Sequence, residues 1–135
     1  MTANDVLFLQ TACEVGEVQN SSFINNLESL VDALGSKGMS ESEMIESQNS
    51  LSRTGYIKIH PAMPPGLQLF KITGAGVAWF YIRRYGLAGY EKIVDDVSRI
   101  LHERSMAGMK ATSEAIAKVL KVPEMLVHHI FVNTL

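Results

Sequence analysis

The sequence has a single cysteine, Cys13, so it can form no internal disulfide and no thiolate set for a metal. A reducing compartment suits such a chain, with Cys13 serving as a small buried apolar residue. It also lacks a basic excess. Twelve lysines and arginines against 14 carboxylates leave a formal charge of −2 and a pI near 6.1, which argues against a strongly cationic polyanion binder while leaving local basic patches open. Long apolar runs are missing too. Stretches such as Gly74 to Ile82 are far too short to span a bilayer, and the N-terminus lacks the basic-then-apolar order of a secretory signal, so a cytoplasmic location is expected. Catalytic signatures are equally scarce: there is no Gly-x-Ser-x-Gly, no phosphate loop and no His-Glu-x-x-His. Gly74-Ala75-Gly76 does not continue into a dinucleotide fingerprint and reads as a helix start. These absences disfavour an enzyme, and no cofactor is expected.

What is present is apolar patterning. With 135 residues and 47% hydrophobic content the chain can bury a core as one domain or two very small ones. The segment Ser113 to Ile130, SEAIAKVLKVPEMLVHHI, spaces its apolar residues as two short helices crossing through a tight turn would need. Ile116, Ala117 and Leu120 form the inner face of the first helix, Val122 sits in the turn, and Val127 and Ile130 line the second. Ala117 leaves room at the crossing, and Pro123 fits a first helical turn, where no N–H is required. Lys121 occupies the turn position that favours glycine and must accept a left-handed or altered backbone. An ordinary amphipathic hairpin is the alternative.

Upstream, Asn4 to Glu14 reads as a short helix burying Val6, Leu7, Leu9 and Cys13. From Ser22 to Gly35, Phe23, Ile24, Leu27, Leu30, Val31 and Leu34 recur at helical spacing, with Ser21 or Ser22 as cap and Gly35 as terminator. After Gly38, Ser40 and Glu43 make a capping box for a helix with Met44, Ile45, Gln48 and Leu51 on one face, ending at Gly55. Tyr56 to His60 and Leu67 to Ile72 read as two β runs joined by PAMPPG, whose three prolines and glycine forbid regular structure. Thr73 can cap a helix carrying Val77, Trp79, Phe80 and Ile82 that ends near Gly86. Tyr90 to His102 begins the remainder. The expected fold is mainly α with a small antiparallel β-hairpin, divided into residues 1–86 and 87–135.

Three helices, a hairpin with an irregular tip and a further helix are the element order of winged-helix proteins. NSLSRTGYIKI followed by PGLQLFKITGAGVAWF resembles that superfamily, with an Arg-x-Gly-Tyr-Ile junction and a Thr-x-x-Gly helix start at Thr73 and Gly76. The resemblance covers Asn4 to Tyr85, and a second, incomplete copy covers Leu87 to Leu135. That copy stops at FVNTL, where relatives run on through a glycine into a wing; either the sequence is cut short or the second unit is a bare helix-turn-helix.

The resemblance implies double-stranded DNA as partner and a role in transcriptional control. In the first unit the reading helix would be Glu41 to Thr54, with Ser47, Gln48, Asn49, Ser50 and Arg53 among its exposed positions. Its three glutamates weaken that role, and a solvated polar face is the plainer alternative; Asn49 and Arg53 are the candidates retained. The wing offers Lys58 and Lys71, with a tip, Pro61 to Gly66, better suited to a protein partner or simply a rigid turn. In the second unit Pro123 to Thr134 carries Glu124, Met125, His128, His129 and Asn133, with Lys118 and Lys121 just before it; Lys118, Lys121, His128 and Asn133 are the candidate contacts. His128 and His129 point about 100° apart on a helix, which makes them poor joint metal ligands, and no metal is expected. Arg83, Arg84, Lys92 and Arg99 form a phosphate patch only if folding gathers them. Apolar surplus around Trp79, Phe80, Tyr81, Tyr85 and Tyr90 suggests a homodimer. A winged-helix interaction module without DNA binding is the competing function. Lysines and arginines are spread evenly, which does not separate the two.

Overall fold

The computed structural model describes residues 1–60 and 66–133, so most of the hairpin tip, Pro61 to Pro65, lies outside the described residues. Among those residues are six helices and a three-stranded antiparallel sheet, a mainly α chain with a small β element, as the patterning implied. The elements are α1 (Ala3–Gln19), β1 (Phe23–Ile24), α2 (Leu27–Ser36), α3 (Glu41–Arg53), β2 (Ile57–His60), β3 (Leu69–Ile72), α4 (Gly74–Met106), α5 (Ser113–Leu120) and α6 (Glu124–Asn133). They fall into two compact units, Met1–Phe80 and Tyr81–Leu135. Gly86, at φ 76° and ψ 162°, interrupts α4 where the sequence places the end of its Trp79 helix.

In the first unit α1 is longer than its apolar spacing suggested. Thr2 caps it: its hydroxyl accepts from the Asp5 N–H at 3.1 Å, and the Asp5 carboxylate accepts from the Thr2 N–H at 3.2 Å. The buried stripe is Phe8, Leu9, Ala12, Cys13 and Gly16, while Val6 and Leu7 are only half-buried. Asp5 is buried as well and accepts from the Ser50 hydroxyl at 2.9 Å, tying the start of α1 to α3.

The expected helix from Ser22 is corrected. Asn26, not Ser21 or Ser22, caps α2, its side-chain oxygen accepting from the Ser29 N–H at 3.2 Å. Phe23 and Ile24 form β1 instead, paired with Lys71 and Phe70 of β3. A helix through Phe23 would leave the free edge of β3 unpaired, so sheet hydrogen bonding overrides the periodicity. Val31 consequently faces outward, and Gly35 lies inside α2, which ends at Ser36 with Lys37 as its C-cap.

The Ser40–Glu43 capping box forms as read from the sequence. On the inner face of α3 Met44, Gln48 and Leu51 are buried as expected, joined by Ser47, while Ile45 is only half-buried. Ser47 and Gln48 are therefore not exposed reading positions. Gln48 turns its amide onto the backbone leading into β3, donating to the Gln68 carbonyl at 2.9 Å and accepting from the Gln68 N–H at 3.0 Å. The sheet order is β1-β3-β2, with Ile57 opposite Ile72 and His60 opposite Leu69. Ile24, Ile57, Phe70 and Ile72 point into the core, where the Phe8 and Phe70 rings lie 5.6 Å apart. Each such side chain contributes about 1.5–3 kcal/mol by leaving water.

The Arg-x-Gly-Tyr and Thr-x-x-Gly motifs meet in space. Gly55 takes φ 88° after α3, and the Tyr56 N–H returns to the Leu51 carbonyl at 3.0 Å, a Schellman closure. Thr73 then accepts from Gly76 N–H and donates its hydroxyl to the Gly55 carbonyl at 2.7 Å, while its own N–H reaches the Tyr56 carbonyl at 3.1 Å. A Cβ on Gly76 would overlap that Tyr56 carbonyl oxygen and the Ile72 side chain.

The second unit pairs α5 with α6. Thr112 caps α5, accepting from the Ala115 N–H at 3.1 Å. Ile116 and Ala117 are buried on α5, and Met125, Leu126, Val127, His129 and Ile130 on α6. Leu120 and Val122 are only half-buried. Pro123 sits one step before the first turn of α6, its carbonyl accepting from Leu126 and Val127.

Because the Gly76 contact is with backbone, which cannot swing away, Gly76→Ala is expected to destabilise the first unit by about 1–3 kcal/mol. Urea unfolding of the variant beside the wild type measures it, and an unchanged midpoint would contradict the close approach.

Candidate nucleic-acid interface

Helices α5 and α6 are joined by a tight turn that has an uncommon residue in it. Lys121 takes the left-handed conformation, φ 58° and ψ 45°, and the Val122 N–H returns to the Ala117 carbonyl at 3.1 Å. Lys121 is thereby presented at the bend, exposed. Lys118 is exposed one turn earlier and lies 3.2 Å from Glu114, an open pair that phosphate can readily outcompete. His128 is exposed on α6, with half-buried Glu124 one turn before it and exposed Val132 one turn after. Met125 and His129, also placed on the reading helix, are buried and unavailable.

His129 belongs to a hydrogen-bonded chain that no local pattern announces. Its Nε2 lies 2.9 Å from the Tyr90 hydroxyl on α4, and its Nδ1 lies 3.1 Å from the Asn133 amide nitrogen. The same amide nitrogen donates to the His129 carbonyl at 3.0 Å, which fixes it as a donor. Nδ1 must then accept, leaving the proton on Nε2 to be donated to Tyr90. The ring is neutral in this arrangement. Burial, and secondarily the neighbouring His128, hold its pKa below the usual histidine value, while burial raises that of Tyr90. Asn133 spends both amide hydrogens on His129, so only its side-chain oxygen remains for a base edge.

In the first unit, Asn49 and Arg53 are exposed on α3. Arg53 lines a shallow polar cleft of about 330 Å³ together with Asp5, Glu43 and Glu46. Two of these carboxylates are held charged. Burial pushes the Asp5 carboxyl up, but hydrogen bonds from Ser50, Thr2 and Ser47 outweigh it and bring it below the usual aspartate value. Hydrogen bonds from Ser40, backbone and side chain, and from Asn4 lower Glu43 in the same direction. A phosphate entering this cleft meets three negative groups for one positive. Lys58 lies elsewhere, on the exposed side of β2, directly opposite Lys71.

Arg83, Arg84, Lys92 and Arg99 do not make a common free patch. Lys92 and Arg99 converge on Asp96, at 2.9 and 3.6 Å, with Arg99 also 3.3 Å from Glu103, while Arg84 lies over the Tyr81 and Tyr85 rings. Charge is nonetheless far from evenly spread. The first unit holds eight carboxylates against four lysines and arginines, and the second holds eight lysines and arginines against six carboxylates. From residue 47 to residue 90 there is no aspartate or glutamate at all. That gap was legible in the chain and is the signal that whole-chain charge conceals. Among the described residues no three His, Cys, Asp or Glu side chains gather as a metal site would need, and no helix is long and apolar enough to cross a membrane.

Two outcomes follow from this geometry. Left-handed backbone costs a residue bearing Cβ about 1 kcal/mol, so Lys121→Gly is expected to stabilise the second unit by about 0.5–1 kcal/mol while removing a cation, measured by thermal unfolding. His129 has a folded-state pKa below its unfolded value, so the unfolded chain binds the extra proton first as pH falls. Its contribution is complete above about pH 6.5 and is lost as pH drops through that value toward the folded pKa. Tyr90→Phe, which strands the buried Nε2–H, is expected to cost about 1–3 kcal/mol at neutral pH, checked by urea unfolding beside the wild type.

No protein-family model matches the chain, and no curated protein and no solved structure matches it.

Proposed function

We propose that the chain is a DNA-binding protein of the winged-helix and helix-turn-helix kind that acts in transcriptional control, with α5 and α6 of the second unit as the element that meets the duplex. The observation that carries this reading is the α5–α6 pair itself. Its two helices are joined through a left-handed Lys121, its apolar residues are buried, and Lys118, Lys121 and His128 are exposed on the unit that holds the cationic surplus. Lys118 and Lys121 would meet phosphates, and His128 with the Asn133 side-chain oxygen would face base edges. A second copy of the chain is the proposed partner in the assembly, since Leu87, Met106, Met109, Val119 and Val132 leave apolar surface uncovered on the second unit.

The acidic cleft favours a second reading for the first unit. With Asp5, Glu43 and Glu46 facing Arg53, the α3 surface repels a polyanion and suits a basic protein segment, so this unit would serve as an interaction module beside a DNA-binding partner unit. Arg53 and Asn49 lose standing as base readers on that ground.

Fluorescence anisotropy with a mixed-sequence duplex at low and moderate salt tests the main reading. The wild type is expected to bind with a salt-sensitive affinity, and Lys118→Ala/Lys121→Ala to lower the slope of log K against log salt by about 2, whereas Arg53→Ala changes it little. No binding at low salt would remove DNA as the partner.

A further inference from the structure

We infer that the outer face of the first unit's sheet, formed by Phe23, Lys58, His60, Leu69 and Lys71, binds single-stranded nucleic acid, the lysines meeting phosphates and the Phe23–His60 pair meeting a base. The surface is independent of α5 and α6 and of the duplex they are proposed to bind. Strand alternation creates it. Ile24, Ile57, Phe70 and Ile72 are buried, so their neighbours in each strand stand on the opposite face, and the register sets Phe23 beside Lys71, Lys71 beside Lys58, and Leu69 beside His60.

Two features of this face are not explained by folding. Lys58 and Lys71 stand directly opposite each other, an arrangement that costs stability, and neither has an ion-pair partner among the described residues. Carboxylates are not scarce in the unit, which has twice as many as cations, yet none lies in residues 18–27 or 47–80, the segments that contain all three strands. The strands and the segments around them thus contribute no carboxylate to this face. The second feature is aromatic. His60 is exposed and Phe23 half-buried, with ring centroids 5.2 Å apart at 63°, and Leu69 is open beside them.

Unpaired cations interleaved with accessible rings match a polyanion that carries flat apolar groups. An acidic peptide would satisfy the lysines and leave the rings without a stacking partner. A duplex presents phosphates but keeps its base faces inside the stack. A single strand offers both.

The test is anisotropy of the full chain with a fluorescein-labelled oligothymidylate of about 12 nucleotides, with an abasic strand of equal length and with polyglutamate. The wild type is expected to bind the oligothymidylate about ten-fold more tightly than the abasic strand. Phe23→Leu should bring the two together, and His60→Ala, at an exposed position, supplies the same comparison if Phe23→Leu fails to fold. Lys58→Ala/Lys71→Ala should lower the salt slope by about 1.4. Lys118→Ala/Lys121→Ala should leave oligothymidylate binding unchanged, so loss of duplex binding in that variant leaves this inference standing. Equal affinity for the oligothymidylate and the abasic strand or polyglutamate, absence of binding at low salt, or loss of binding in Lys118→Ala/Lys121→Ala would overturn it.

Discussion

The first unit depends on one threonine. Thr73 hydrogen-bonds through its hydroxyl, N–H and carbonyl to Gly55, Tyr56, Gly76 and Val77, and these residues belong to two junctions, the exit from α3 into β2 and the exit from β3 into α4. Without it, both junctions would leave polar backbone to water or to a cavity, and the strands between them would lose the fixed ends that set their register. The close approach of Gly76 to the Tyr56 carbonyl follows from the same closure. Lys58 faces Lys71 and Ile57 faces Ile72 because the hairpin is clamped at this end, opposite its tip.

A second constraint acts on α3 through charge. Asp5 is almost fully out of contact with water and still held as a carboxylate by three hydroxyl-bearing neighbours. Such a group orders α1 against α3 only while it remains charged and partnered, since a buried carboxylate stripped of its donors costs more than the contact returns. The arrangement also places a carboxylate beside Glu43 and Glu46 of α3, the helix that carries the candidates Asn49 and Arg53. The device that orders the helix pair is thus also what makes the surface unfavourable to phosphate.

The capping box at Ser40, the end of α3 at Gly55 and the inner positions of Met44, Leu51, Ile116, Ala117, Val127 and Ile130 were legible because each is a local matter of cap chemistry or apolar spacing. Phe23 and Ile24 were misread for a physical reason. Their spacing suits a helix, but the deciding interaction is with Lys71 and Phe70, almost fifty residues away, and no local pattern carries it. Gln48 and Ser47 were misread because a buried polar side chain looks, in sequence, like a solvated one; only the backbone at Gln68 and the carboxylate of Asp5 give them partners. The site was less legible than the fold. Adjacent histidines announce nothing about which one is enclosed, and Tyr90 and Asn133 join His129 only once α4 and α6 are packed.

Partition of charge gives the two units different chemistry despite their shared helical make-up. A net charge of −2 describes neither: one unit is acidic with its cations on a sheet face and at the ends of α2 and α3, and the other is basic with several cations already matched by carboxylates one turn away. Ion pairs at that spacing on an open helix are weak, so they hold lysines ready without immobilising them, and a phosphate can take the carboxylate's place at little cost. Among the described residues Lys121 has no such partner to displace, and it stands at a bend whose backbone takes an uncommon conformation. On the reading proposed for α5 and α6, Lys121 would meet a phosphate with no carboxylate one turn away to be displaced, unlike Lys118.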